Sequence, residues 1–190
     1  AVINGRVKIG LADDDMKFLA TSKDIINASR VDLPVAVAAG MNASTTVAAT
    51  MICAHMARVN VFVTCGIGGV HRGAQQTFDI SADLQELAHT NVAVVCAGAK
   101  AILDLKLTME YLETFGIPVL GWKTDELAAF YSSKSGIKVN YRVDDEITAA
   151  KIIKAKWEMG IDGGVIIANP IPEEFSMDPK EINDAIDRAL

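Results

Sequence analysis

Aromatic residues are scarce in this 190-residue chain, 6% in all, and cysteines number three. Cys53, Cys65 and Cys96 lie in or beside apolar runs and lack any paired metal-ligand spacing. That argues against a metal site built on cysteine and leaves buried, reduced thiols of a cytoplasmic protein as the plain reading. No apolar run is long enough to cross a membrane, and no basic segment precedes a short apolar one as in a secretion signal. Positive charge is not in excess either. A formal net charge of −6 offers no footprint for a nucleic-acid backbone, although local groups can still hold a small phosphorylated ligand. Internal repeats, low-complexity tracts and linkers are missing, so residues 1–190 read as one α/β domain.

What is present is a large apolar fraction, 51%, carried mainly by Ala, Val and Ile, which suits parallel strands covered by helices. Asn4-Gly5 between two short apolar runs predicts a hairpin. The stretch from Leu11 to Asn27 is polar and helical in part, with Asp13, Asp14 and Asp15 suited to a helix start. Leu33 to Gly40 reads as a buried strand ending in glycine, and Asn42 to Val59 as a helix of small residues capped by Asn42 or Ser44. A strand over 60–64 and another in Val92–Cys96 follow. Then come helix 101–115, strand 118–122, helix 125–133, strand 138–143, helix 145–159, strand 163–168 and a helix near 178–189. Such alternation predicts βα units, a mostly parallel sheet and helices on both faces, an α/β/α sandwich.

Chemistry is expected between Val61 and Lys100. Ligands of open parallel sheets sit beyond the carboxyl ends of the strands, where both the polar loop 65–83 and Lys100 would face one crevice. Gly66-Ile67-Gly68-Gly69-Val70-His71 invites a dinucleotide reading, but His71 stands where that fingerprint needs glycine or alanine. The glycines then serve either amides that approach an anion or a tight turn needing positive φ. His71, between glycines and away from apolar periodicity, suits an anion contact or proton transfer as well as plain exposure. Arg72 suits a surface or intersubunit ion pair.

Asp79 and Asp83 are four apart. If 80–87 is helical their carboxylates share a face, as hard ligands for Mg²⁺ or Mn²⁺, or Asp79 or Ser81 simply caps the helix. Lys100 begins the helical pattern after VAVVCAGA. A cation at a helix start and partly buried is expected to have a lowered pKa, as Schiff-base chemistry wants; a snorkelling lysine is the alternative. Lys151, Lys154 and Lys156 read as the solvated face of an amphipathic helix. Asn169-Pro170-Ile171-Pro172 reads as a stiff turn that borders the crevice or merely ends a strand.

The stretch CGIGGVHRGAQQTFDISADLQELAHTNVAVVCAGAKAILDLKLTMEYLETFGIPVLGW is similar to the pseudouridine-5′-phosphate glycosidases, also called indigoidine-synthase-A-like proteins. SRVDLPVAVAAGMNASTTVAATM upstream and GGVIIANPIPEEFSM downstream resemble the same family, so the likeness spans essentially the whole chain. The resemblance implies an α/β/α fold, a homotrimer, Mn²⁺, and reversible cleavage of pseudouridine 5′-phosphate to uracil and ribose 5-phosphate. On the family pattern Lys100 aligns with the Schiff-base lysine and Asp79 with the metal ligand. Ser81, Ala82 and Asp83 align with a substrate-binding segment, Val47 with another substrate contact, and His71 with the site histidine. Asn27 stands where a substrate-contacting lysine is expected, and Cys65 replaces a usual glycine. Family members also carry an N-terminal Glu-Ser-Thr stretch, whose glutamate is the proton donor, and a further C-terminal helical region. The expectation is the central part of the enzyme, with nucleophile and metal ligand but without the acid; a catalytically silent, sugar-phosphate-binding remnant is the alternative.

Overall fold

The computed structural model describes residues 1–189. The hairpin is there: β1 (Val2–Ile3) and β2 (Arg6–Val7) pair antiparallel around Asn4 and Gly5. Both turn residues have positive φ, 49° and 71°, the type I′ geometry that Asn-Gly favours. Helix α1 (Asp13–Thr21) starts on the three aspartates, and β3 (Ile25–Ala28) follows.

Two elements differ from expectation here. Leu33 to Gly40 is not a strand but helix α2 (Leu33–Ala38), with Pro34 in its first turn, where a missing N–H costs nothing, and Gly40 beyond its end at φ 68°. Leu33 and Ala36, one turn apart, are buried, while Val35 and Val37 face outward. Asn42 and Ser44 are not helix caps but part of strand β4 (Asn42–Thr45), parallel to β3 and antiparallel to β1. Helix α3 (Val47–Met56) begins after it, with the Thr46 side chain accepting from the Ala49 amide at 3.4 Å. These strands form a sheet in the order β2-β1-β4-β3.

The second sheet is parallel throughout: β5 (Val61–Val63), β6 (Ala93–Cys96), β7 (Val119–Trp122), β8 (Tyr141–Val143) and β9 (Val165–Ala168), in the order β5-β6-β9-β7-β8. Around it lie α4 (Ala74–Thr77), α5 (Ala82–His89), α6 (Leu105–Thr114), α7 (Glu146–Glu158) and α8 (Pro179–Ala189). Successive strand side chains point to opposite faces, and each face has its own core. Val94, Val119 and Ile166 pack with Met51, Leu84, Leu87 and Leu112. Ala93, Leu120 and Val165 pack with Ala149 and Ile153 of α7. The α/β architecture with helices on both faces is therefore as read from the alternation.

Residues 125–133 do not form the expected helix. Their backbone is engaged elsewhere: Leu127 N–H donates to Ile137 O at 2.8 Å, and Phe130 N–H donates to Ala97 O at 2.8 Å. Phe130 takes a left-handed φ of 65°. Lys156 departs from the solvated face assigned to α7. It is buried, and its ammonium donates to the carbonyls of Ile161 at 3.2 Å, Gly163 at 3.1 Å and Asp162. Burial pushes it below the usual lysine range. No helix among the described residues is long and apolar enough to cross a membrane.

Candidate active site

A cleft of about 370 Å³ opens beyond the carboxyl ends of β5 and β6. Thr64, Cys65 and Gly68 line it from the loop after β5, and Lys100 lines it from the loop after β6. Across from them stand Asn27 of β3 and Val47 at the start of α3, with His71, Ser81 and Asp83 completing the wall. The sequence-predicted residues thus converge, with two exceptions. Ala82 lies between Ser81 and Asp83 as the first residue of α5 but does not line the cleft, and Asp79 stands behind His71. A larger hollow of about 500 Å³ lies between Arg72, Lys106 and α8, and none of those predicted residues lines it.

The two loops are stitched together. Ile67 N–H donates to Gly98 O at 3.1 Å, and Lys100 N–H donates to Ile67 O at 3.0 Å. Gly66, Gly68 and Gly69 are not at positive φ, so a tight turn is not their purpose; among the glycines of this loop only Gly73 has one. Close approach explains them. A Cβ on Gly68 would lie 2.1 Å from Ser81 Oγ, one on Gly66 2.5 Å from the Phe130 ring, and one on Gly69 2.5 Å from Thr108 Oγ1.

Asp83 is a clamp. Its buried carboxylate accepts from the Ala48 amide through Oδ1 and from the Gly68 amide through Oδ2, both at 2.8 Å. The start of α3 is thereby tied to the glycine loop. The paired-carboxylate geometry is absent, because α5 begins only at Ala82 and Ser81 is its cap, its Oγ accepting from the Asp83 amide at 3.3 Å. Asp79 lies outside that helix with its side chain 61% exposed. Its carboxylate Oδ2 is 3.7 Å from His71 Nδ1, and the His71 amide donates to Asp79 O at 3.0 Å. Among the described residues no three His, Cys, Asp or Glu side chains cluster as metal ligands. One open carboxylate nevertheless fits a small, hard divalent ion, which keeps most of its waters and takes one or two protein oxygens.

Lys100 is exposed and sits upstream of α6, whose cap is Asp104, Oδ1 accepting from the Leu107 amide at 3.0 Å. The helix-start argument therefore does not apply, since the dipole's effect fades within the first turn. Among the described residues its ammonium has no hydrogen-bond or ion-pair partner, which leaves it open to the cleft. Asn27 Oδ1 accepts from Ser44 Oγ at 3.3 Å. Arg72 does pair, but with α8: it donates to Asp187 Oδ1 and Asn183 Oδ1, both at 2.8 Å. Cys65 borders the cleft and is exposed, whereas the buried Cys96 thiol is pushed up to about 11, first by burial and then by Cys65 nearby. Asn169 to Pro172 line a separate groove beside Phe130. Thr45, Thr46 and Thr50 also line the cleft, and a single helix expected over 42–59 hides them in the sequence. The signal was Thr46 itself, a cap residue directly before VAATM.

The chain has known relatives. Residues 1–190 match the family described as indigoidine synthase A like protein. The chain belongs to that family. Family relatives named pseudouridine-5′-phosphate glycosidase include one from Caldanaerobacter subterraneus, 64% identical over 190 residues, and one from Petrotoga mobilis, 62% identical. In both, the match covers 100% of this chain and 62% of the relative, so the chain spans about three fifths of their length. Among solved structures, the prealnumycin C-glycosynthase AlnA in complex with ribulose 5-phosphate superposes with a TM-score of 0.95 at 42% identity, over 99% of this chain and 62% of that one. An indigoidine synthase A-like protein from Thermotoga maritima gives 0.91 at 33% identity, over 98% and 62%.

Proposed function

We propose that this chain carries the sugar-binding and covalent part of a pseudouridine-5′-phosphate glycosidase, with Lys100 as nucleophile. The observation that supports this best is a lysine, unpaired among the described residues, in one cleft with His71, Ser81 and the Asp83 clamp, in a family with relatives of 55–64% identity that carry that name. A C–C glycosidic bond has no heteroatom leaving group, so two carboxylates do not suffice. The ribose ring opens at C1′ with a proton going to its ring oxygen, and the Lys100 amine forms a C–N bond at C1′. A proton reaches the uracil carbon, and the C1′–C bond breaks as the nitrogen lone pair closes to an iminium. Water then hydrolyses the iminium to ribose 5-phosphate and regenerates the amine.

Val47 and Ser81 border the sugar, Asn27 meets its polar rim, and His71 holds or moves a proton at the site's edge. Asp83 and its neighbour Ala82 act by fixing the wall. Asp79 would hold Mn²⁺, which when bound supplies positive charge and ordered water to the substrate. A homotrimer in the cytoplasm belongs to the same reading.

The test is borohydride trapping with ribose 5-phosphate, uracil and Mn²⁺, read by intact mass, with Lys100→Ala beside it. An adduct that disappears in the variant supports the reading. No adduct on the wild-type chain would overturn it and leave a silent sugar-phosphate-binding remnant.

A further inference from the structure

We infer that Phe130 is a positioning residue for Lys100, the core of a strap that braces both reactive loops from behind. The inference rests on the glycosidase reading for its catalytic consequence, but its geometry stands alone. Phe130 has φ 65°, a conformation that a bulky L-residue adopts only when its surroundings impose it. The surroundings here are the loops of the cleft. The Phe130 ring lies against Gly66 so closely that a Cβ there would stand 2.5 Å from two ring carbons. The Phe130 amide donates to Ala97 O at 2.8 Å, and Ala129 bridges Gly98. Gly98, at φ 90°, presses on the strap so tightly that a Cβ would stand 1.9 Å from Ala128 O.

The strap is held in turn from its far side. Met177 N–H donates to Tyr131 O at 2.8 Å, Ser133 N–H donates to Ser176 Oγ at 3.0 Å, and the Ser132 hydroxyl donates to Met177 O. Support therefore runs from residues 173–177 through 130–133 to Gly66 and Gly98. It ends at the two bonds that join the loops, Ile67 N–H to Gly98 O and Lys100 N–H to Ile67 O. Without the ring, Gly66 keeps only the Gly98 carbonyl beside it, and the Lys100 backbone is held by its bonds with Ile67 O and Leu103 N–H alone.

Three variants test this. Phe130→Ala removes the ring and keeps the strained φ. Phe130→Gly removes the ring and relaxes the φ, so it separates loss of the ring from backbone strain. Phe130→Tyr keeps the ring. In both ringless variants the amides of Ile67 and Lys100 should exchange with deuterium about tenfold faster while those of β6 and β7 keep their protection. Trapping of ribose 5-phosphate on Lys100 should slow about tenfold with its dissociation constant changed less than about twofold, and Phe130→Tyr should match wild type on both readouts. Unchanged protection at Ile67 and Lys100, exchange that rises across the whole sheet, or trapping at the wild-type rate in a ringless variant would overturn the inference. If the wild-type chain forms no adduct, the glycosidase reading fails, and the exchange of those two amides alone decides the brace.

Discussion

Asp83 and Gly68 are joined at a distance that only glycine permits. Asp83 Oδ2 accepts from the Gly68 amide at 2.8 Å, and a Cβ on residue 68 would itself stand 2.8 Å from that oxygen. The other oxygen holds the Ala48 amide, so one buried carboxylate fixes the relation between α3 and the glycine loop.

Asp83→Asn leaves one of those amides facing an amide donor. The expected cost is about 1–3 kcal/mol in urea unfolding, with weaker ribose 5-phosphate binding alongside. Gly68→Ala should also weaken that binding, because backbone or Ser81 must move. An unchanged urea midpoint in Asp83→Asn would remove the clamp from the account.

Asp79→Ala should behave oppositely. The side chain is exposed and its ion-pair neighbour among the described residues is the His71 imidazole at 3.7 Å, so stability should move by no more than about 0.5 kcal/mol. Mn²⁺ affinity should be lost, seen as free Mn²⁺ in electron paramagnetic resonance. Retained binding would place the metal elsewhere.

Alkaline pH should destabilise the protein through Cys96. Its pKa is raised from 9.0 to about 11, so the native state keeps a proton that the unfolded chain releases. The stabilisation is fully present below pH 9 and is lost as pH rises towards about 11, a loss of about 2–3 kcal/mol. Urea titrations across that range should show the decline, and Cys96→Ala should flatten it.

Lys156→Met should loosen the turn after α7. Trp157 Nε1 still donates to Gly163 O at 2.9 Å, but the Ile161 and Asp162 carbonyls lose their ammonium donor. A cost of about 1–3 kcal/mol is expected, with faster exchange confined to the turn and the adjoining start of β9. An unchanged melting temperature would show that water replaces the ammonium without penalty.

The parallel sheet was legible because its strands are apolar and separated by helices of ordinary length. Of the first sheet only the hairpin was. Ile25–Ala28 and Asn42–Thr45 are short and half polar, so no local pattern announces their pairing. Pro34 was readable as a helix-start residue, but the alternating valines of LPVAVA suggested a strand. At the site, the place of Lys100 and His71 in the cleft followed from the loop and the topology, that of Ser81 from the family resemblance alone. The role of Asp83 did not, since a carboxylate bound to two amides looks in sequence like any other aspartate. Phe130 was hidden for a related reason: a left-handed aromatic is dictated by Gly66 and Gly98, distant in sequence and close in space.

The strand order carries a consequence for synthesis. β9 sits between β6 and β7, yet it begins about 70 residues after β6 ends. At roughly 5–20 residues per second a ribosome needs several seconds to supply it. Throughout that interval β6, and β7 once it has been made, have no central neighbour, and each exposes an apolar, unpaired edge of the kind that recruits other chains. A chaperone that shields nascent strands should therefore raise the folded yield most when translation slows between residues 97 and 165.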